Sequence, residues 1–359
     1  QAIEQNTIVL LLGMMIVTAY LDLAGFFGWA ASWIHRVSHG PVRLLHVLIW
    51  SSGVLSALLV NDTVCLLLSP LVLMAARRAG YPIVPYLFAL CMGANVGSVA
   101  TLSGNPQNML IGVLSGDSYR GFLLHQAAVA LGGLAIVSGI LHLFFARGLR
   151  RATLAPTIAA EPRLRPGLLR LTLLTLAGVV LAFLLGVHLP FAALAGACLL
   201  IVFGRIPPRH VFLRVDWTLL LFFASLFVVV EGVVRVGAAQ WLHELFRPFL
   251  GESAARQAAV FSALAALGSN LVSNVPFVLV AQPWLETLRE PRLQWRVLAM
   301  ATTFAGNLTL LGSVANLIVL EAAGREVRVG FLDYFKVGLP VTLATMAWGL
   351  AVLLLLHLV

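Results

Sequence analysis

The sequence predicts an all-α polytopic membrane protein, and three observations carry that reading. Of its residues 60% are hydrophobic and only 10% charged, against about 25% charged in a soluble domain. Apolar runs close to the ~20 residues that cross hydrocarbon as a helix recur, for example at 8–30, 123–146 and 337–359. These runs do not alternate with a period of two, as the strands of a membrane barrel do. The net charge of +9 could point a soluble protein toward nucleic acid. Here the basic residues, all arginine but Lys336, cluster between apolar runs, where they set topology. No nucleic-acid partner is expected; the partner is the lipid bilayer. Cys65, Cys91 and Cys198 lie inside apolar runs and form no CxxC, so buried structural thiols are expected. Residues 1–6 lack the basic start of a signal peptide.

In chain order, ordinary spans are expected at 7–30, 123–146, 168–187, 190–204, 217–236 and 331–359. Two segments have the wrong length. Residues 44–78 and 254–288 are each too long for one span and too short for two with a turn. Each carries a polar break near its centre, Asn61-Asp62-Thr63 in one and Ser273-Asn274-Val275-Pro276 in the other. Each therefore reads as a re-entrant hairpin of two half-length helices, a geometry tolerated only when buried in protein or lining a wet cavity. Two further spans, 83–114 and 294–320, are interrupted. Gly104-Asn105-Pro106 unwinds the first, and Gly312-Ser313 breaks the second more weakly.

These features come in pairs. "TIVLLLGMMIV" from Thr7 resembles "TLLLFFASLFV" from Thr218, Asn61 pairs with Asn274, and Asn108 pairs with Asn316, all separated by about 210 positions. A span, a hairpin, a broken span and a closing span thus recur in one order, which is an internal repeat. Residues 1–146 form the first repeat, 147–167 an arginine-rich cytoplasmic linker, and 168–359 the second repeat. Threading this pattern through a bilayer puts sixteen basic residues on the face where the first hairpin opens and seven on the other. The first face is therefore cytoplasmic. The second hairpin opens to the opposite face, so the repeats are inverted. Spans 168–187 and 190–204 have no partner in the first half, and two helices preceding residue 1 are expected to match them.

A helix that ends inside the membrane leaves about four carbonyls or amide groups unpaired and carries partial charge at its end. Carbonyl ends suit a cation and amide ends an anion. Inverted repeats with broken helices and midplane polar clusters describe a secondary transporter. The candidate substrate- and ion-binding residues are Asn61, Asp62 and Thr63 at the first tip and Gly104, Asn105, Gln107 and Asn108 at the first break. Ser273 and Asn274 at the second tip and Gly312, Ser313 and Asn316 at the second break complete the set. An intramembrane carboxylate is costly and functional by default, so Asp62 is a site for Na⁺ or a proton; the alternative is that it caps the second arm. Na⁺ is expected near Asn61, Asp62 and Gly104 and near Asn274 and Gly312. No tightly bound cofactor is expected, only Na⁺ or H⁺ as coupling ion. Asp22, Glu231 and Glu321 read as structural, with Glu231 pairing Arg235. His46, His142 and His188 read as packing residues. No HExxH, GxGD or GxSG occurs, so no enzyme is expected.

"NDT" at the first tip, "GNPQN" at the first break, "SNVP" at the second tip and "GSVANLIVLE" at the second break together resemble the ion transporter superfamily. That group includes the divalent anion/sodium symporters, the arsenite permeases, the citrate–metal transporters and the NhaD-type antiporters. The similarity is greatest to its small bacterial permeases of the YbiR type and covers most of the chain. The resemblance implies a homodimer in the bacterial inner membrane that works as an elevator, with the hairpins and broken helices moving against a fixed scaffold. In the sodium/dicarboxylate branch each tip carries Ser-Asn-Thr. Here the Asn is kept in both halves, while the Thr is replaced by Asp62 in one and Val275 in the other. The Asn-Asp pair is more similar to the arsenite and proton-coupled branches. The expected activity is secondary transport of a small anion, an oxyanion or carboxylate, coupled to Na⁺ or H⁺. The rival is a Na⁺/H⁺ antiporter in which Asp62 alternates between the two ions.

Overall fold

The computed structural model describes residues 4–150, 163–324 and 327–358, and among them every regular element is helical. Among the described residues six helices are long and apolar enough to cross a membrane. The chain opens with α1 (Gln5–Leu23), shorter than the expected 7–30, because Gly25 takes a left-handed backbone with φ of 85° and turns the chain into a separate helix, α2 (Phe26–Val37). Next come α3 (Pro41–Leu58) and α4 (Asn61–Arg78), joined by the two extended residues Leu59 and Val60. The arms run antiparallel: Leu44 and Leu48 of α3 share a groove with Leu68, Leu71 and Val72 of α4, beside Ile34 of α2. The broken span is α5 (Val84–Ser98) and α6 (Pro106–Ser115), and α7 (Tyr119–Leu149) closes the first set.

After α8 (Pro166–Leu184), α9 (Leu189–Phe203) and the single turn α10 (Pro208–Phe212), the same succession recurs. It runs α11 (Trp217–Arg235), amphipathic α12 (Ala238–Leu250), the hairpin α13 (Ala254–Val272) and α14 (Asn274–Leu285), then α15 (Pro291–Ala305) and α16 (Val314–Ala323) with a 3-10 turn at Leu310–Gly312 between them, and α17 (Phe331–Leu358). Gly237, with φ of 79°, does for α11–α12 what Gly25 does for α1–α2. The arms of the second hairpin also fold back. Gly268 lies under the ring of Phe277, and Gln257 Oε1 accepts a hydrogen bond of 2.8 Å from the backbone N–H of Arg289.

Close helix crossings rest on small residues, which in a bilayer let backbones approach for dispersion and polar contact. At the crossing of α3 and α5, Gly93 and Gly97 stand one turn apart against α3; a Cβ on Gly97 would lie 2.2 Å from the carbonyl oxygen of Gly53. Gly13 of α1 faces Ala193 of α9 in the same way, and Gly132 of α7 faces the Trp348 ring of α17. An ion pair joins the two halves: Arg296 Nε and Nη2 of α15 reach the two carboxylate oxygens of Asp117, before α7, at 2.8 and 3.2 Å, both side chains largely buried.

Several expectations change. The arms of the first hairpin have 18 residues each, about 27 Å of helix, and so are not half-length. Serines in α3 do not interrupt it, since Ser52 Oγ bonds back to the carbonyl of Ile49. The amphipathic helices α2 and α12 were not expected as separate elements. Helix α7 runs into the expected linker, whose residues 151–162 lie outside the described residues. Cys65 and Cys91 are buried, but Cys198 is exposed on α9, a helix with an apolar outer face. Asp22 pairs with Arg214, and Glu231 with Arg235 at 2.8 Å. His46 and His142 do face one another, Nε2 to Nδ1 at 3.0 Å, with Ser138 Oγ on the other nitrogen of His46.

Two predictions follow from this packing. Gly97→Val drives a side chain into the Gly53 backbone and lowers stability by about 1–3 kcal/mol, read as a lower Tm in detergent. Gly139→Ala, inside α7 where a Cβ meets nothing within 4 Å, keeps Tm or raises it slightly, because alanine loses less backbone entropy in a helix than glycine. At the second tip Ser273 is held at φ of 76°, a conformation costing about 1–3 kcal/mol in a non-glycine residue. Ser273→Gly therefore raises Tm, whereas Ser273→Ala does not.

Candidate functional site

The two helix breaks are tied off by the same device. Asn108 Nδ2 of α6 donates to the carbonyls of Ser98 and Thr101 at 3.3 and 3.0 Å. Asn316 Nδ2 of α16 donates to those of Gly306 and Thr309 at 2.7 and 3.1 Å. Donor and both acceptors sit 208 positions apart in the two halves. Each break is then fastened to the first arm of its hairpin. Thr101 Oγ1 donates to the Ala57 carbonyl at 2.6 Å, and Thr309 Oγ1 to Asn270 Oδ1 at 2.8 Å. The start of α4 is held by its Asn61 N–H, which donates to the Gly104 carbonyl at 2.9 Å. Gly104 is needed there, since a Cβ would lie 2.2 Å from the Ser98 carbonyl oxygen. Carbonyls stranded at depth thus find donors inside the protein, as a water-poor surrounding requires.

Amide ends converge where the carbonyl ends are tied off. The first residues of α4, α6, α14 and α16 line one cavity of about 40 Å³, through Asn61 and Asp62, Asn105, Pro106 and Gln107, Ser273, Asn274 and Val275, and Ser313 and Val314. Asn95, Thr303 and the rings of Phe222 and Phe223 on α11 complete its wall. A volume of that order holds a few waters or a small ion. Four helix N-termini give the cavity a positive dipolar field. Asn105 caps α6 by accepting the Asn108 N–H at 2.8 Å, and Ser313 caps α16 through the Ala315 N–H at 3.3 Å. Neither α4 nor α14 has a side-chain cap; the Asn61 N–H is spent on the Gly104 carbonyl and Pro276 carries no N–H, so only the remaining first-turn amides are left for a solute.

Asp62 is the charged residue of this lining, and its side chain is buried, 5% exposed. It does not cap α4: Val60 holds the cap position, and Asp62 stands in the first turn. Its carboxyl faces the backbone N–H of Ala315 at the start of α16 and feels the charge of Asp216, which caps α11. Beside it Asn95 of α5 acts as a junction. Its Oδ1 accepts from Asn61 Nδ2 at 3.1 Å and from Ser313 Oγ at 3.0 Å, while its Nδ2 donates to Asn307 and Asn316 Oδ1 at 2.9 and 3.1 Å. Gln107 Nε2 reaches Thr302 and Thr303 Oγ1 at 3.1 and 2.6 Å. At the hairpin tips and breaks the buried carboxamide oxygens of Asn61, Asn108 and Asn274 receive no hydrogen bond. Orphaned oxygens beside a carboxylate are the donor set a hard cation such as Na⁺ takes, although Gly104 already spends its carbonyl on Asn61.

Of the sequence-derived candidates, Asn61, Asp62, Asn105, Gln107, Ser273, Asn274 and Ser313 line the cavity. Gly104, Asn108, Gly312 and Asn316 stand behind it as struts of the breaks, and Thr63 is half-buried outside the lining. Sequence reasoning missed Asn95, Thr302, Thr303 and Asn307. Each is a polar side chain inside an apolar or glycine-rich run, a pattern that marks a buried polar group but not what it meets.

Residues 1–305 match the family model described as citrate transporter. An uncharacterized transporter of Mycobacterium tuberculosis is 30% identical over 95% of this chain and 83% of its own length. The silicon efflux transporter LSI3 of rice, Oryza sativa subsp. japonica, is 28% identical over 95% of this chain and 84% of its own length. The crystal structure of the Alcanivorax borkumensis YdaH transporter superposes with a TM-score of 0.57 at 18% identity, covering 98% of this chain and 85% of that one, and supports the fold. A multi-pass helical chain with broken helices around a buried polar cavity, matched along most of its length by transporters, belongs to the citrate transporter family and is a membrane transporter rather than an enzyme.

Proposed function

We propose that the protein is a secondary active transporter moving a small anion, an oxyanion or carboxylate, across the bacterial inner membrane in exchange with or alongside Na⁺ or H⁺. The observation that carries this reading is the meeting of four helix N-termini on one cavity lined by no Arg, Lys or His. Such ends bind anions through their amides and dipoles, and two of them lack side-chain caps. The Asp62 carboxylate opposes an anion in the same space. Uncompensated charge inside a low-dielectric region is costly, so the loaded site needs a cation: a proton on Asp62, or Na⁺ between Asp62 and the orphaned oxygen of Asn61. That electrostatic requirement is the coupling.

The relatives' names include citrate and silicon transport. The cavity of about 40 Å³ suits a small oxyanion better than citrate, and solutes are released by motion of its walls. We assign alternating access to an elevator: the two hairpins and two broken helices, tied together through Asn95 and, for the second hairpin, Asn270, move as one body past the Phe222–Phe223 wall of α11. The matching succession of α1–α7 and α11–α17 supports two inverted repeats with hairpins opening to opposite faces. The exposed apolar faces of α8 and α9, with Leu181, Leu185, Phe191 and Val202 outward, suit lipid and a second copy in a homodimer.

A second reading, a Na⁺/H⁺ antiporter without an anion, is favoured by Asp62 being the charged group of the lining. Proteoliposome flux separates the two. The first reading predicts uptake of an oxyanion or carboxylate from a panel that rises with an imposed Na⁺ or H⁺ gradient. Na⁺-driven proton efflux with no anion present supports the second. In either case Asp62→Asn, nearly isosteric, lowers ion-driven flux by about tenfold or more while Tm holds. Unchanged gradient dependence in that variant contradicts the role of Asp62.

A further inference from the structure

The two breaks share one backbone device but differ in what their asparagine oxygens meet. Asn316 Oδ1 in the second half accepts Asn95 Nδ2 at 3.1 Å, and Asn307 Oδ1 accepts the same group at 2.9 Å. The equivalent oxygen in the first half, Asn108 Oδ1, is buried and receives nothing. The cause lies in one residue. The position matching Asn95 in the second half is Thr303, whose hydroxyl donates to the Ala299 carbonyl at 2.6 Å and accepts from Gln107 Nε2 at 2.6 Å. It does not reach across to Asn108 as Asn95 reaches across to Asn316. A second difference points the same way. The orphaned polar atom on the loop after α15 is a donor, Asn307 Nδ2, whereas those on Asn61 and Asn108 are acceptors.

We propose that Asn95 is a positioning residue that closes the second break to cations. Its amide group sits between two carbonyl oxygens where a cation would sit, and it leaves the first break as the coupling site, so that one Na⁺ binds per chain. This rests on the ion-coupled reading given above and adds a stoichiometry and an agent to it. An N–H group between two carbonyl oxygens satisfies both acceptors without bringing net charge, so a second ion gains nothing there. The other end of the same carboxamide, accepting from Asn61 and Ser313, fixes the first tip against the second break. One side chain therefore both joins the halves and makes them chemically unequal.

The test is equilibrium binding of radiolabelled Na⁺ to the purified full chain in detergent, at mildly alkaline pH, with choline replacing Na⁺ as control. Wild type is expected to bind one Na⁺ with a Hill coefficient near one. Asn95→Asp keeps the oxygen that holds Asn61 and Ser313 and replaces the amide group by a carboxylate oxygen facing Asn307 and Asn316 Oδ1. This variant is expected to bind two. Should it not fold, the equivalent struts decide: both Asn108→Ala and Asn316→Ala lose a carbonyl bridge, but Asn108→Ala also loses the orphaned oxygen and weakens Na⁺ binding about tenfold more than Asn316→Ala, which is about 1.4 kcal/mol. A wild-type stoichiometry of two or zero, a folded Asn95→Asp protein still binding one, or equal losses in the two strut variants overturns the proposal. Failure of the anion flux assay with one Na⁺ still bound would instead remove the anion reading and leave Asn95's role intact.

Discussion

Everything in this molecule depends on one constraint: a helix that stops inside an apolar surrounding must find partners for its end groups within the protein. The chain meets it twice with one carboxamide each time. Asn108 and Asn316 each bridge two stranded carbonyls, and threonines seven residues earlier tie the same breaks to the hairpin arms. Those bonds hold the breaks from which α6 and α16 start at the cavity wall. The glycines at these places follow from the same need, since the backbones approach too closely for a Cβ.

Once the carbonyl ends are satisfied, the amide ends are left to act. Their shared field favours an anion, and Asp62 disfavours it. On the proposed reading this opposition couples the two solutes, because an anion and a cation would stabilise each other there more than either does alone. It also explains why the site contains amides, hydroxyls and a single carboxylate instead of arginines. A permanent positive charge would hold an anion but leave nothing for the ion gradient to change. The packing around the site is correspondingly tight, with Gly53, Gly93 and Gly97 bringing α3 and α5 into backbone contact, so that the hairpin tips and breaks keep their register.

The general architecture was legible because apolar runs of span length leave few alternatives and because polar triplets inside them stand out. Asn61-Asp62-Thr63 and Gly104-Asn105-Pro106 could be placed at helix starts from turn and capping chemistry. Helices α2 and α12 were not legible: the expected span 7–30 absorbed the start of α2, and α12 fell in the stretch left unassigned between 217–236 and 254–288. The boundary is set by a single left-handed glycine. Arm lengths were misjudged because the segment was counted from residue 44, whereas α3 begins at Pro41 and only Leu59 and Val60 separate the two arms. Asn95 escaped notice for a different reason. Its partners Asn307 and Asn316 are more than 200 positions away, and nothing local to "GANVG" distinguishes a junction from an ordinary buried amide. His46 and His142 were likewise brought face to face only by the packing of α3 on α7.

The central claim is that the cavity between the hairpin tips opens alternately to the two sides of the membrane. The direct measurement places a cysteine at Ser273, in a chain whose Cys65, Cys91 and Cys198 are replaced, and labels it with a membrane-impermeant maleimide from each side of oriented vesicles. The account predicts labelling from both sides, with each side's rate shifted in opposite directions when the Na⁺ or H⁺ gradient is reversed. Labelling from one side alone, unaffected by either gradient, would contradict it.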